Sequence, residues 1–329
     1  MDWKNKRVLV TGAGGFIASH LVERLVAEGA SVRAFVRYNS RGDVGLLRFI
    51  PPEVFSRIEI IPGDLRDAEA IRSAARDVDT IFHLGALIAI PYSYIHPREV
   101  IETNVMGTLN VLMAARGTSV RRVVHTSTSE VYGTAHYVPI DEAHPLQGQS
   151  PYSASKIGAD KIAESYYRAY NLPVVTLRPF NTYGPRQSAR AVIPTIITQA
   201  LTCGEVHLGS LEPSRDFTYV SDTVEGFIQV AVAENILGEE INLGTETTIT
   251  IGELAEKIFG MIGKTPKVIT ESQRVRPEKS EVMKLHASNR KARELIGWQP
   301  VVSLDEGLGK TYAWITGHID LYRPTQYTV

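Results

Sequence analysis

Near the start of the chain stands the run Arg7-Val8-Leu9-Val10-Thr11-Gly12-Ala13-Gly14-Gly15-Phe16-Ile17-Ala18. A short apolar segment breaks at a glycine turn, and apolar residues at helical spacing follow it. A dinucleotide pyrophosphate needs that order of strand, turn and helix. One glycine makes the tight turn, a second lets phosphate approach the backbone, and a small residue lets the helix pack on the strand. Gly12, Gly15 and Ala18 stand at these positions, so the run predicts a dinucleotide cofactor at this turn.

The same alternation continues along the chain. Further strands are predicted over residues 31–36, 57–61, 78–84, 121–126, 173–177 and 217–220, and helices over 67–76, 99–116, 152–170 and 222–233. Strands that alternate with helices of this length indicate βαβ units and a mostly parallel sheet covered on both faces. The predicted fold class is therefore α/β, a doubly wound parallel sheet of the Rossmann type with a smaller C-terminal substrate domain.

The rhythm changes after Arg178-Pro179, where proline, glycine and threonine become frequent. We expect residues 1–180 and 216–243 to form the NAD(P)-binding domain, and residues 181–215 and 244–329 to form the smaller one.

Composition narrows the class of protein. The 329 residues include 35 Lys and Arg against 36 Asp and Glu, a net charge of −1 without a basic block, which argues against a nucleic-acid partner. The single cysteine, Cys203, cannot close an intrachain disulfide, and no apolar run approaches the ~18 residues that span a membrane. No apolar signal region follows Met1, so we expect a soluble enzyme of the cytoplasm.

Two side chains on the helix predicted over 152–170 suggest proton transfer. Tyr152 and Lys156 are four residues apart and therefore lie on one face of that helix. Free tyrosine, with a pKa of about 10, is a poor base at neutral pH, and a nearby ammonium favours its phenolate. The pair is a candidate acceptor for the proton of a sugar hydroxyl.

The residues after the second strand bear on the choice of cofactor. An acid at that place would bind the ribose 2′-hydroxyl of NAD, but the sequence there is Val36-Arg37-Tyr38-Asn39-Ser40-Arg41. Arg37, helped by Ser40 or Arg41, could bind a 2′-phosphate instead. This segment favours NADP over NAD.

Together, the glycine turn, Asn104 in Asn-Val-Met-Gly-Thr, the Tyr152 and Lys156 pair and the stretch from Arg178 to Pro185 resemble the extended short-chain dehydrogenase/reductases that act on nucleotide sugars. The resemblance implies a bound NAD(P), a nucleotide diphospho-sugar substrate and a homodimer built on the helices after Asn104 and Tyr152. It places the cofactor on Gly12, Gly15, Phe16, Ile17, Arg37, Asp64, Leu65, Leu84, Ala86, Asn104, Tyr152 and Lys156. It places the substrate on Tyr92, Asn181, Val192, Arg215 and Arg276.

Within that family, the segment Ser127-Thr128-Ser129-Glu130-Val131-Tyr132-Gly133 bears on the reaction. The resemblance makes Thr128 the hydroxyl that joins Tyr152 and Lys156 in a catalytic triad. Plain 4-epimerases carry no acid at the position of Glu130, whereas Thr-Ser-Glu is similar to the GDP-mannose 4,6-dehydratases and also occurs in UDP-glucuronate decarboxylases. The dTDP-glucose dehydratases have Asp where this chain has Ser129, so the group that protonates the departing hydroxyl stays open between Ser129 and Glu130.

Three loops, residues 86–94, 145–152 and 184–194, look like those of the hexosamine 4,6-dehydratases of the legionaminic-acid pathway. That likeness implies UDP- or GDP-N-acetylglucosamine as substrate and a 4-keto-6-deoxy sugar as product. The alternatives are a nucleotide-sugar 4-epimerase, a UDP-glucuronate decarboxylase and, as a different class, a non-catalytic NADP(H)-sensing module. His83, His125 and His144 lack a partner at ligand spacing, so no metal is expected.

Overall fold

A computed structural model describes residues 3–88 and 90–327. The strands are β1 (Arg7–Thr11), β2 (Ser31–Arg37), β3 (Ile58–Gly63), β4 (Thr80–His83), β5 (Arg122–Thr126), β6 (Val174–Pro179), β7 (Asn181–Tyr183), β8 (Glu205–Leu208), β9 (Ser214–Arg215), β10 (Phe217–Tyr219), β11 (Glu240–Leu243), β12 (Ile249–Thr250) and β13 (Lys267–Thr270).

The helices are α1 (Phe16–Ala27), α2 (Pro52–Phe55), α3 (Ala68–Ala74), α4 (Ile90–Ile95), α5 (Pro97–Ile101), α6 (Gly107–Arg116), α7 (Pro151–Tyr170), α8 (Val192–Thr202), α9 (Val220–Val232), α10 (Ile251–Ile262), α11 (Arg290–Ile296) and α12 (Leu304–Gly317). Short helical turns connect some of them. They cover Gly45–Phe49, Glu102–Met106, Ser129–Tyr132, Ser272–Arg274, Glu278–Ser280 and Ile319–Leu321.

A seven-stranded sheet in the order β11-β6-β5-β4-β1-β2-β3 forms the centre of the described chain, and every neighbouring pair in it is parallel. This confirms the predicted α/β Rossmann fold. The strand order reverses between β1 and β4, and ligands of open α/β sheets bind at that point beyond the carboxyl ends of the strands. Gly12, Arg37, Asp64, Leu84 and Thr128 stand at or just after the ends of β1 to β5, so the sheet places these predicted site residues along one edge.

Two predicted elements differ from the structure. The helix expected over 99–116 begins at Pro97 and contains a π-helical turn, Glu102–Met106, between α5 and α6. Such turns are frequent at functional sites, and this one holds Asn104. The strand expected over 217–220 exists as β10, but it pairs with β7 outside the main sheet.

The C-terminal part packs on the same core as the sheet. Trp298 is fully buried, and its indole N–H donates to the carbonyl of Asp222 in α9 at 2.8 Å. Earlier in the same part of the chain, Val282 and Leu285 pack with Val131 of the turn after β5. This packing brings the segment that holds Arg276 beside the end of β5.

Over the two described ranges, we find no helix both long enough and apolar enough to cross a lipid bilayer.

Candidate active site

The glycine turn between β1 and α1 has the conformation that its sequence predicts. Gly12 has φ +67°, and a Cβ there would lie 2.6 Å from the Cα of Gly85 in the loop after β4. The Gly15 N–H donates to the Gly12 carbonyl at 2.9 Å, and no side chain caps α1. The first amides of α1, including those of Phe16 and Ile17, therefore have no side-chain acceptor, and the positive end of the helix dipole adds to their attraction for phosphate.

Behind this turn, the buried imidazole of His83 links the end of β1 to the start of α6. His83 Nδ1 lies 2.7 Å from Thr11 Oγ1, and His83 Nε2 lies 2.9 Å from Thr108 Oγ1. The Thr108 hydroxyl donates to the Asn104 carbonyl, so it accepts from Nε2–H, and Nδ1 accepts from Thr11. Burial holds the pKa of His83 well below its ordinary value, and the neutral ring braces the turn.

Asn104 is engaged inside the protein. Its Oδ1 accepts from the Leu87 N–H at 2.7 Å, and its Nδ2 donates to the Leu87 carbonyl at 3.1 Å and to Ser155 Oγ at 3.0 Å. Both amide hydrogens are thus used inside the protein, and the direct cofactor contact of Asn104 stays a prediction. Asn104 ties the loop that contains Leu84 and Ala86 to α7, and we interpret it as a positioning residue.

Lys156 and Tyr152 lie in the first two turns of α7, which starts with a capping box between Ser150 and Ser153. The Lys156 ammonium donates to the carbonyl of Thr126, at the end of β5, at 2.6 Å. Burial lowers the pKa of Lys156 to about 8.

The direction of the Tyr152 pKa differs from the sequence expectation. Burial raises this pKa, while a hydrogen bond with Thr128 acts in the opposite direction. Lys156 was expected to lower it, but in this structure the penalty of burying a phenolate is the larger effect. The contact with Thr128 does bring together two members of the expected triad.

A buried ionic network that the sequence analysis missed supports this triad. Asp160, one turn after Lys156, accepts hydrogen bonds from Ser127 at 2.7 Å, His125 at 3.0 Å and Arg178 at 3.1 Å. Burial alone would raise the pKa of Asp160, but the hydrogen bond from His125 and the charge of Arg178 hold it below its ordinary value. The network joins α7 to the ends of β5 and β6. The spacing of Lys156 and Asp160 on one helix face was the available signal.

Ser129 and Glu130 belong to the helical turn that follows β5. Thr128 caps this turn, since its Oγ1 accepts from the Glu130 N–H at 3.3 Å. Ser129 is buried and Glu130 is half-buried. Glu130 Oε1 lies 3.9 Å from Arg276 Nη1, so the predicted acid and a predicted phosphate-binding arginine meet.

The second predicted arginine joins the same group through an acid that was not predicted. Arg215 Nη2 donates to Glu281 Oε1 at 3.2 Å, and Arg276 Nη1 lies 3.6 Å from the same oxygen. No local sequence motif identifies Glu281 as a residue of this site. We call Glu130, Arg215, Arg276 and Glu281 the charged quartet.

The other predicted substrate residues lie in three places. Asn181, in β7, has a buried Oδ1 without a hydrogen-bond partner, which leaves an acceptor for a ligand. Val192 is half-buried at the first position of α8. The Tyr92 hydroxyl donates to Glu99 at 2.6 Å, and Glu99 pairs with Arg37 and not with the charged quartet, so the substrate contact of Tyr92 stays a prediction.

The residues predicted for the adenosine end of the cofactor lie beyond β2 and β3. Arg37 Nη2 lies 3.4 Å from Glu99 Oε1 in α5. Asp64 accepts from Arg66 at 2.7 Å, which holds the pKa of Asp64 below its ordinary value. The Leu65 side chain lies close to the Cα of Gly85, where an added Cβ would come within 2.7 Å of it. The end of β2 has no carboxylate of its own, and Glu99 of α5 is the acid that pairs with Arg37 there.

His144 is the last of the three histidines that were considered as metal ligands. Its Nδ1–H donates to the Pro145 carbonyl, and its Nε2 accepts from the His136 N–H. Throughout the part of the chain that the structure describes, no cluster of three or more His, Cys, Asp and Glu could hold a metal ion.

A Rossmann sheet with a glycine turn and a Tyr-Lys pair defines the class of NAD(P)-binding dehydrogenase/reductases. The family model for GDP-mannose 4,6-dehydratase matches residues 9–311. The chain therefore belongs to that family of extended short-chain dehydrogenase/reductases. Its relatives include nucleotide-sugar dehydratases and epimerases.

Three known proteins show how close the relatives are. A UDP-glucose 4-epimerase of Mycolicibacterium smegmatis is 34% identical, over 93% of this chain and 97% of its own length. A dTDP-D-glucose 4,6-dehydratase of Mus musculus is 31% identical, over 94% and 88%. The solved structure of DesIV, a dTDP-glucose 4,6-dehydratase from Streptomyces venezuelae with NAD bound, has a TM-score of 0.86 and 31% identity, over 97% of this chain and 100% of that one.

Proposed function

We propose that this enzyme is a nucleotide-sugar 4,6-dehydratase that acts on UDP- or GDP-N-acetylglucosamine. The observation that carries the proposal is the position of Glu130. Its carboxylate influences the pKa of Tyr152 on one side and lies 3.9 Å from Arg276 on the other. Glu130 therefore lies between the proton acceptor Tyr152 and the phosphate-binding Arg276. This position suits removal of the proton from C5, the sugar carbon next to the oxidised C4.

The site fits NAD(P), because the uncapped α1 amides and the left-handed Gly12 form a phosphate-binding turn. When bound, NAD(P) accepts a hydride from the sugar and later returns it. Gly12, Gly15 and the start of α1 would hold its pyrophosphate, and Lys156 its nicotinamide ribose.

The protein's own residues would act in sequence on the sugar. Tyr152, as phenolate, accepts the proton of the C4 hydroxyl, which Thr128 orients. The positive charges of Lys156 and of the oxidised nicotinamide would have to offset the burial that raises the pKa of Tyr152. The resulting C4 ketone acidifies the C5 hydrogen, and Glu130 removes it as a proton. The C6 hydroxyl leaves as water with a proton from Ser129 or from the protonated Glu130. Loss of one water leaves a C5=C6 double bond next to the C4 ketone. The hydride that the bound cofactor took from C4 would then return to C6 while a proton adds to C5, which gives the 4-keto-6-deoxy sugar.

The diphosphate would bind to Arg215 and Arg276, since a planar guanidinium can hold two phosphate oxygens at once. Both arginines belong to the segments that we assign to a substrate domain, residues 181–215 and 244–329. The choice of a hexosamine rests on the likeness of loops 86–94, 145–152 and 184–194 to those of the hexosamine dehydratases.

A nucleotide-sugar 4-epimerase is the second candidate, because a UDP-glucose 4-epimerase is 34% identical to this chain. An epimerase needs the Tyr152 and Lys156 pair but no acid at Glu130. A uronate decarboxylase shares Thr-Ser-Glu and is the third candidate.

Product analysis separates these reactions. The enzyme is incubated in deuterated water with UDP-N-acetylglucosamine, GDP-N-acetylglucosamine and UDP-glucuronate in separate reactions, and the products are read by mass and proton NMR. The proposal expects loss of one water and solvent deuterium at C5 with a hexosamine. A product of unchanged mass with an inverted C4 indicates an epimerase, and loss of carbon dioxide indicates a decarboxylase.

The choice between NAD and NADP depends on Arg37 and Glu99. Arg37 favours NADP, as the sequence predicts, whereas Glu99 would repel a 2′-phosphate and DesIV has NAD bound. We propose that NADP binding requires Arg37 to leave Glu99.

We also propose a homodimer. The helical segment from α5 to α6 packs against α7, and large apolar side chains on these helices remain exposed, including Ile101 (46%), Met106 (46%), Met113 (49%) and Tyr170 (46%). Exposed apolar side chains grouped on neighbouring helices are typical of an interface, and a second copy of the chain would cover them.

A further inference from the structure

We propose that Glu281 is an internal competitor of the substrate diphosphate: its carboxylate occupies the arginine pair and sets the affinity of that pair for nucleoside diphosphates. This inference rests on the proposed function of Arg215 and Arg276. It concerns a residue for which no motif or comparison gave a role.

The geometry shows one carboxylate oxygen shared by two guanidinium groups. Glu281 Oε1 lies 3.2 Å from Arg215 Nη2 and 3.6 Å from Arg276 Nη1. The Arg276 Nη1 atom is buried and has no hydrogen-bond partner, because both nearby carboxylates stand beyond hydrogen-bond distance. Arg276 therefore keeps an unused donor that an incoming phosphate oxygen could take.

The backbone on both sides of Glu281 is held in place. Ser280 Oγ donates to the Gln149 carbonyl at 2.6 Å and accepts from the Tyr94 hydroxyl at 2.5 Å. On the other side, the Ser214 N–H donates to the Met283 carbonyl at 2.9 Å. Glu281 can thus give way to a diphosphate by rotating its side chain, without moving the segment.

The charges of the quartet explain the effect on affinity. Two guanidinium groups and two carboxylates have no net formal charge, so the quartet attracts an anion less than two arginines alone would. A diphosphate meets Glu281 as a like charge, must replace it in the hydrogen bond with Arg215 and must compete with its charge for Arg276. The competition weakens binding of the nucleotide and speeds its release.

The test uses the full-length enzyme and the variant Glu281→Gln, which keeps the shape of the side chain and removes its charge. Dissociation constants of UDP, GDP and inorganic pyrophosphate are measured by calorimetry. We expect binding to become about tenfold tighter, since one like charge worth ~1.4 kcal/mol is lost. Glu278→Gln is the matched control, because Glu278 is exposed on the same segment and should leave these constants unchanged.

Weaker or unchanged binding in Glu281→Gln would overturn the proposal, since it would mean that Glu281 orients the arginines or has no effect on them. If the glutamine variant does not fold, Glu281→Asp replaces it, and the shorter carboxylate should also tighten binding. If the wild-type enzyme binds none of the three ligands, the diphosphate site fails together with the inference. If the wild type binds them and the variant is not tighter, only the inference fails.

Discussion

Glu130 and Arg276 face each other across 3.9 Å, from carboxylate Oε1 to guanidinium Nη1. Glu130 follows the fifth strand of the sheet, whereas Arg276 comes from the C-terminal part of the chain. The contact links the predicted chemical step to the predicted phosphate site. A diphosphate that binds Arg276 would also change the surroundings of the acid that removes the C5 proton.

We expect Glu130→Gln to keep cofactor binding and to lower turnover by ~10²- to 10⁴-fold, the usual contribution of a positioned acid or base. The measurements are cofactor affinity, product formation and the exchange of deuterium into C5. Ser129→Ala is the companion variant. If Ser129 protonates the departing hydroxyl, its loss should slow product formation while C5 exchange continues. Wild-type turnover in Glu130→Gln would rule out its role.

Activity should also follow the charge of Lys156. Burial penalises the ammonium and lowers its pKa to about 8, so the charge is present below that pH and is lost as the pH rises through it. We expect kcat/KM to fall above about pH 8. Lys156→Arg stays charged in that range, so the fall should move to higher pH even if the maximum rate decreases. An unchanged profile in the arginine variant would assign the fall to another group.

The affinity for NADP relative to NAD should depend on both Arg37 and Glu99. Because Glu99 occupies Arg37, Glu99→Gln should raise NADP affinity relative to NAD by about fivefold, and Arg37→Ala should lower it. Fluorescence titration with each reduced cofactor gives the ratio. Glu102→Gln removes a nearby acid that pairs with Arg98, and it should leave the ratio unchanged. Equal changes for both cofactors in Glu99→Gln would contradict this account.

If the chain forms the proposed dimer, a charge introduced in the interface should dissociate it, whereas a charge introduced elsewhere should not. Met106→Glu and Met113→Glu would place carboxylates in the interface, and both should shift the protein to monomers. Met261→Glu is the control, since Met261 is an exposed methionine of α10, away from these helices. Light scattering after size exclusion measures the mass. A monomeric wild-type protein would refute the dimer itself.

Local pattern predicted much of the fold. Apolar segments located six of the seven strands of the main sheet to within a few residues and missed β11 (Glu240–Leu243). Gly12, Tyr152 and Lys156 stand out through short spacings that their chemistry requires. Glu281 and Glu99 pair with arginines distant in the chain, and no neighbour in sequence reveals those contacts. Asp160 had only its spacing from Lys156 as a signal.

Tyr92 makes a contact that its sequence segment did not reveal. Its segment suggested substrate binding, yet its hydroxyl lies on Glu99 in the next helix. The pKa of Tyr152 could not be predicted either, because its direction depends on burial and not on the distance to Lys156 along the helix.

The buried imidazole behind the glycine turn also matters for kinetics. Burial keeps the pKa of His83 far below neutrality and lowers that of His125, and it brings that of His20 to about 4. Burial therefore disfavours the protonated form of all three rings, so an acid limb of the rate profile caused by any of them would lie below the range of an ordinary imidazole.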